Sequence, residues 1–373
     1  MFRFALRFLI YDKPKSIGVI LGIIISTFLI GQQTGIFIFL TDAMSSLIDN
    51  TQADIWVVDN RATDISSLSQ IDIRIGNQVQ SIPGVKRAYP LIIAGGTARF
   101  REGKSAQVTL IGSQPSYFKG GPYRIKEGQL SDLLQGGAVG TDMFDAENLN
   151  NIKVGDSFEI NGKRVHLVLQ TKGARGFGST YVFSTVSRVR SLGKIPVTKA
   201  SVFLVDIELG VETAEVCERI NTHIPGIRAW TKDEFSRSTV MTILSSSGIA
   251  FSIGTLIIFA SVAGLVIIGL TMYSAAMERL RDYGTLKAIG ANNHYIRNLI
   301  LYQAFFFGLT GYGIGILLLE GFRSGVAKSG VLFNYSTPLK IVFFLITLAI
   351  SFGGAAFAMR RIRKLEPASV FRS

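Results

Sequence analysis

Four long stretches of the chain carry no charged residue, and they set what it can fold into. They are residues 16–41, 238–277, 298–319 and 341–359, of 26, 40, 22 and 19 residues. A bilayer core takes about 20 apolar residues per helix, so each stretch can cross once. Charged residues make up 17% of the 373-residue chain, against roughly 25% in ordinary soluble domains, and the deficit sits in these runs. The expectation is a membrane protein with four transmembrane helices and an α+β extracytoplasmic domain inserted between helices 1 and 2. The first run far exceeds a secretory h-region of about 7–15 residues. Thr41-Asp42-Ala43 is also a poor cleavage site, so the run is expected to stay as a helix.

The positive charge is unevenly placed. Segments 1–15, 278–297 and 360–373 hold 13 basic and four acidic residues; 42–237 holds 23 and 21; 320–340 holds three and one. Nine of the net +13 charges thus lie in short flanks on one side of the runs. Short Lys/Arg-rich flanks stay in the cytoplasm, and four spans put both termini there. The basic balance is therefore a topology signal and not a nucleic-acid signal.

The expected layout begins with a cytoplasmic or interfacial N-terminal helix (1–15) and a first span (16–41). A periplasmic α+β domain with stalk ends (42–237) follows, then a stalk plus second span (238–277). A cytoplasmic coupling helix and turn (278–297) leads to a third span (298–319). A short periplasmic loop (320–340), a fourth span (341–359) and a cytoplasmic tail (360–373) complete the chain. The location is a cell inner membrane, crossed several times and surrounded by lipid. In 1–15, Arg3 and Arg7 share one helix face among Phe, Leu and Ile, which suits a helix lying in the membrane interface.

The outer segment reads as a compact domain. Residues 157–170 predict a hairpin, with apolar residues alternating on both sides of Asn161-Gly162, a pair that favours the tight turn matching strand twist. Strands are predicted at 107–112, 179–185 and 201–207. The last leads into a helix around Cys217 and then "GIRAW", a βαβ-like unit. A helix is expected near 66–82, and the Gly-rich stretch 115–157 has no assignable fold. Cys217 shares a helix face with Ile220 and Ile224 and reads as a buried structural thiol. Thr231 and Glu234 form a capping-box pattern. A helix starting there should run unbroken into 238–277, about 60 Å for 40 residues, twice a bilayer core of roughly 30 Å. Leu40, Met44, Leu47 and Ile48 continue the first span in the same way. Both spans then carry stalks.

No catalytic constellation is found, so the chain reads as a non-enzyme without cofactor or metal. "ARFREGKS" (98–105) fits a relaxed phosphate-loop pattern, but a strand follows it where the motif requires a helix, so it reads as a hairpin turn. "GARGFG" (173–178) lacks dinucleotide spacing and reads as a flexible loop tip. His166, His223 and His294 stand apart from other metal-ligand types. Within the spans, Gly18/Gly22, Gly31/Gly35 and Gly311/Gly315 are small residues four apart, suited to close helix packing. Gln32 and Gln33 read as packing groups, with a polar route as the alternative. The absence of charge inside any span argues against an ion-coupled midplane site.

The charged loop is the informative part. In "ERLRDYGTLKAIGANNHYIR" (278–297), Leu280, Tyr283, Leu286 and Ile289 recur every three residues and form an apolar stripe. Arg279, Arg281, Asp282 and Lys287 occupy the other faces. Gly290 suits a helix C-cap, and Asn292 or Asn293 an N-cap. The stripe is expected to have no core of its own. It can rest on lipid headgroups or dock in a groove of a soluble partner.

Residues 277–304, "MERLRDYGTLKAIGANNHYIRNLILYQA", resemble the signature of MacB/FtsX-type ABC transporter permeases. Matching positions are Glu278, Arg279, Arg281, Asp282, Leu286, Lys287, Ala288, Ile289 and Gly290; Asp282 stands where Glu is commoner, Tyr283 where Ile is commoner, and Gln303 where Glu often sits. "RRIRKLEPASVF" (360–371) and "KVGDSFEINGKRVHLV" (153–168) resemble further family segments. "ADIWVVD" (53–59) and "IPGVKRAYPLI" (82–92) are closest in flavour to the DevC-like branch.

The resemblance covers the whole layout. It implies that 278–290, with Leu280 and Tyr283 on its stripe, couples to a separate cytoplasmic ABC ATPase present in two copies. It also implies a permease homodimer, with a periplasmic adaptor and an outer-membrane duct as further partners. The implied function is export of lipid-like or peptide cargo, driven by ATPase motion passed to the outer domain. The alternatives are lipoprotein release, and FtsX-like control of cell-wall hydrolases without transport.

Overall fold

The structure, a computed structural model, describes residues 13–101, 103–278, 284–286 and 289–362. The expected interfacial helix therefore lies almost wholly outside the described residues, as does the tail beyond Ile362. The chain divides into two units: residues up to Phe39 together with those from Ile249 onward, and Leu40–Gly248. The first helix, α1 (Lys13–Asp49), is unbroken over 37 residues. Its last turns belong to the outer unit, where Met44, Leu47 and Ile48 are buried.

The outer unit is built on one large sheet. The unit's strands are β1 (Ile55–Asp59), β2 (Ile71–Asp72), β3 (Val85–Arg99), β4 (Ser105–Ser113), β5 (Ile125–Glu127), β6 (Ala138–Asp142), β7 (Ser157–Ile160), β8 (Lys163–Thr171), β9 (Thr180–Thr185), β10 (Lys199–Ala200), β11 (Val202–Ile207) and β12 (Ile227–Thr231); β2 and β10 pair only with each other, as a separate two-stranded sheet. Helix α2 (Ile75–Gln80) precedes β3, α3 (Val186–Gly193) follows β9, and α4 (Thr213–His223) joins β11 to β12. Strands β3, β4, β9, β6, β8 and β7 pair in sequence, and β7 pairs back to β3, so they close into a barrel. Closure removes the exposed edges that an open sheet would leave. Beyond the barrel, β3 continues to pair with β11. β1 lies between β11 and β12, antiparallel to both. The expected βαβ unit is thus present, but split by β1.

Alternation along the strands sends residues to opposite faces. Val108, Leu110, Val182 and Leu167 enter a core with Val189 of α3 and Ile220 of α4. Ile111, Phe183, Leu91 and Trp56 face the other way, onto Leu47 and Ile48 of α1 and Phe235. The hairpin at Asn161-Gly162 forms as its sequence predicts. Both residues have positive φ, 50° and 77°, and Ile160 opposes Lys163. The phosphate-loop lookalike is the β3–β4 turn, with Phe100 N–H donating to the Lys104 carbonyl at 3.0 Å. The helix expected near 66–82 shrinks to α2 and a 3-10 turn at Ile65–Ser67. Stretch 115–157, unassigned from sequence, supplies β5 and β6.

Helix α5 (Lys232–Ser247) closes the outer unit. It ends at Gly248 with φ +67°, a left-handed cap that glycine adopts without Cβ strain. The expected unbroken helix through 238–277 is therefore corrected to two. The second, α6 (Ile249–Glu278), begins beyond the cap. With α7 (Asn293–Val326) and α8 (Thr337–Ile362), α1 and α6 give four helices long and apolar enough to cross a membrane.

Glycines let these helices approach. A Cβ at Gly22 would lie 2.7 Å from Ile267 Cγ2, and one at Gly354 2.7 Å from Ile268. All three predicted glycine pairs sit at such contacts: Gly18 and Gly22 meet α6, Gly31 meets Leu319, and Gly311 and Gly315 meet Ile23 and Thr27. Gly35 meets Phe333. Buried hydroxyls pair across helices, Thr27 with Thr347 at 3.0 Å, and Ser351 donates to the Ala304 carbonyl at 2.7 Å. The third helix runs past its expected end at 319. Glu320 is partnered by Arg323 and by Lys340, each at 2.7 Å, so its charge does not stop the helix.

Candidate functional site

The charged turn between α6 and α7 is the predicted working part. Glu278 is the last residue of α6. Arg279, Leu280, Arg281, Asp282, Tyr283, Lys287 and Ala288 lie outside the described residues. Residues 284–286 are helical, and the stop that follows is well defined. Gly290 has φ +100°, and Ala291 N–H donates to the Leu286 carbonyl at 2.9 Å. Counting Gly290 as the first residue past the helix, this is the long bond of a Schellman cap. Asn292 then starts α7, its side-chain oxygen accepting the Tyr295 N–H at 2.8 Å. That satisfies one of the donors a helix start leaves free.

The two described members of the apolar stripe part company. Leu286 is half-buried and packs against the membrane unit's core, so the stripe does have a core of its own to enter at that position, contrary to expectation. Ile289 is 79% exposed. Three residues advance about 300° around a helix, which leaves them roughly 60° apart, enough to seat one and free the other. Among the described residues, the turn thus leaves a large apolar side chain exposed beside a left-handed cap.

In the outer unit, Thr231 and Glu234 form a reciprocal cap on α5. Thr231 Oγ1 accepts the Glu234 N–H at 3.3 Å, and Glu234 Oε2 accepts the Thr231 N–H at 3.2 Å. One turn in, Phe235 is fully buried against Trp56 and Trp230, with ring centroids 5.5 and 6.0 Å away. The end of α1 is held nearby. Ser46 and Tyr123 share a hydroxyl hydrogen bond, Thr51 Oγ1 donates to the Leu47 carbonyl at 2.6 Å, and Lys232 Nζ reaches the Thr51 carbonyl at 3.4 Å. Burying Leu47 and Ile48 contributes about 1.5–3 kcal/mol each, so the end of α1 is part of the domain and not a tether to it.

Sequence reasoning missed a buried polar network. Segment 173–178 is not a free loop tip. Ala174 N–H and Thr171 Oγ1 donate to Asp142 Oδ2 at 2.7 and 2.9 Å, and Arg175 pairs with Asp145 at 2.8 Å. Burial pushes the Asp145 carboxyl up to about 6, opposed by Arg175 and reinforced by Asp142. Scattered Asp and Arg among glycines give no periodic signal, so only the fold brings them together. Burial likewise pushes the Cys217 thiol up to about 12, with Glu234 adding to the effect, which suits an inert structural group.

Comparison with known proteins places these features. Residues 16–222 match the model of the MacB-like periplasmic core domain, and residues 238–367 match that of the FtsX-like permease C-terminal region. An uncharacterised ABC transporter permease of Methanocaldococcus jannaschii is 25% identical, over 68% of this chain and 67% of its own. One from Mycobacterium tuberculosis is 22% identical, over 73% and 72%. The periplasmic region of MacB from Actinobacillus actinomycetemcomitans aligns with 52% of this chain and 97% of its own, at 15% identity and a TM-score of 0.39.

Proposed function

The chain belongs to the MacB/FtsX-type ABC transporter permeases, and on that premise we propose that it turns the motion of a separate ATPase into motion outside the membrane. The proposed orientation puts both termini and the 278–297 turn in the cytoplasm of an inner membrane, following the basic flanks. Two ATPase subunits close as a pair on two permease copies. Each would press on the turn, with Ile289 and the Leu286-anchored cap as its foothold. The free energy of that contact must differ between ATPase states, or nothing moves.

The observation that carries the reading is the contrast between α1 and the broken pair α5–α6. Thirty-seven unbroken residues of α1 extend about 55 Å, well beyond a bilayer core of roughly 30 Å, and the far end is packed into the outer core. Gly248 interrupts the second connection. In this reading α1 is the lever and Gly248 a pivot, so the capped α5 turns with the outer domain. The work is done on lipid-like or peptide cargo outside the membrane, with an adaptor and an outer duct as further partners.

Copurification in mild detergent tests this. An ABC ATPase should come along in equal number with the permease. A preparation that never retains an ATPase would remove the proposal.

A further inference from the structure

On the outer unit, an exposed arginine lacks the anion its position calls for. Arg87 of β3 lies opposite Asp206 of β11, where opposite charges on facing strands ordinarily pair. Asp206 is already taken. Lys119 Nζ holds its Oδ1 at 3.0 Å and also donates to the Gln52 carbonyl. Among the described residues, Arg87 then forms no ion pair. Its partner is Tyr117 instead. The Tyr117 hydroxyl oxygen accepts from Arg87 Nη1, and the guanidinium carbon lies 4.7 Å from the Tyr117 ring centroid, a cation–π contact.

The pair is held in place from below. Tyr117 packs on the buried ring of Tyr89, with centroids 5.1 Å apart. The Tyr117 loop is pinned to the sheet at Gly120, where a Cβ would come within 2.9 Å of Leu91 and Leu204. Phe118 N–H donates to the Gln114 carbonyl at 2.9 Å, and Gly121 N–H to the Phe118 carbonyl at 2.7 Å. On both sides of Tyr117 the backbone is left-handed, with φ of 77° at Ser116 and 44° at Phe118. That conformation is unfavourable for residues with a Cβ, and such strain gathers at functional positions. Here it sets where the Tyr117 side chain leaves the loop.

The chemistry of the pair selects its partner. Arg87 is exposed, and Tyr117 is 45% exposed. Because the tyrosine oxygen accepts from Arg87, the Tyr117 O–H and the other guanidinium N–H groups remain as donors. A cationic, planar set of donors fits a carboxylate, which takes two parallel N–H bonds from a guanidinium. Stacking on the ring preorganises the arginine, so less entropy is lost when it is bound. Arginine and tyrosine are also the side chains that carry much of the binding energy at protein interfaces. Both stand open on the surface, where a partner protein covers ring and guanidinium together and a small anion does not. We propose that Arg87 and Tyr117 form a docking point for an acidic segment of a partner protein, which sets an Asp or Glu carboxylate on the guanidinium. The permease reading assigns no role to this face, and docking here needs no ATPase.

The test pans a phage-displayed library of random short peptides on the full chain in lipid nanodiscs, after removing those that also bind Arg87→Gln. Each selected peptide is then remade with its Asp or Glu changed to the amide. Binding is compared on wild type, Arg87→Gln, Tyr117→Phe and Lys126→Gln. Lys126 is exposed on β5, so its variant loses the same charge at a different place. The selected peptides should carry an acidic residue, and changing it to the amide should weaken binding at least about tenfold, as should Arg87→Gln. Tyr117→Phe, which keeps the ring and removes the hydroxyl, should weaken it about threefold. Lys126→Gln should leave it within about twofold. Thermal melts of the variants should match wild type, since the altered side chains are exposed. Selection of no peptide, selection of peptides without an acidic residue, or equal losses in Arg87→Gln and Lys126→Gln would overturn the proposal. Free glutamate binding as tightly as the peptides, with the same dependence on Arg87, would make this a small-carboxylate site and overturn the assignment to a protein.

Discussion

Replacing Ile289 with Asp separates docking from folding. The side chain is 79% exposed and follows the last helical turn, so the substitution should change the protein's own stability by no more than about 0.5 kcal/mol. If a partner covers Ile289, full burial contributes about 1.5–3 kcal/mol, and its loss weakens the complex between roughly tenfold and a hundredfold. A buried unpaired carboxylate adds to that penalty. Leu286→Asp is the contrasting case, because Leu286 already packs on the membrane unit's core. It should lower both ATPase retention and thermal stability. The assay is retention of the ATPase on the affinity-purified permease in mild detergent, beside a thermal melt of each variant. Ile289→Asp should shed the ATPase and melt as wild type does. Wild-type retention, or a melt lowered as in Leu286→Asp, would refute the docking role.

Three further outcomes follow from the geometry. Asp145 has its carboxyl raised from 3.8 to about 6, so the fold favours the protonated form; that contribution is full below about pH 4 and lost as pH rises through about 6, at roughly 1.4 kcal/mol per unit. Asp145→Asn should flatten the melting temperature against pH across that window, and an unchanged slope would contradict the assignment. Thr231→Ala removes a cap and should cost about 1 kcal/mol, read as faster amide exchange in the first turn of α5. Cys217, with its thiol pushed up to about 12, should resist a thiol reagent until the protein is unfolded.

What could be read from the sequence depended on the range of the signal. The membrane helices, the Asn161-Gly162 hairpin and the Thr231–Glu234 cap are local patterns, and each has a physical cause within a few residues. Barrel closure depends on β7 meeting β3 through Ala98–Ile160 and Arg99–Glu159, pairs far apart in the chain with no local marker. Gly248 lies among serines and apolar residues, where a glycine is tolerated mid-helix as often as it ends one. Its left-handed conformation is set by the fold. The run of α7 past Glu320 was hidden because a charged residue reads as the end of a span until Arg323 and Lys340 are seen to partner it. For the 278–297 turn, the caps at Gly290 and Asn292 were legible, but that Leu286 packs on a core while Ile289 stays exposed was not. That depends on tertiary packing, which a local pattern does not carry.

The central claim is that α1 carries displacement as one rigid rod. Spin labels at Ile17 and Asp42, both exposed on α1, stand 25 residues apart, or about 38 Å along a helix. In the ATPase-bound complex this separation should stay sharp and unchanged between nucleotide-free and ATP-trapped states, while the Asp42-to-Asp42 distance between the two copies shifts. A 17–42 separation that shortens or splits on ATP binding, or an Asp42 pair that does not move, would contradict it.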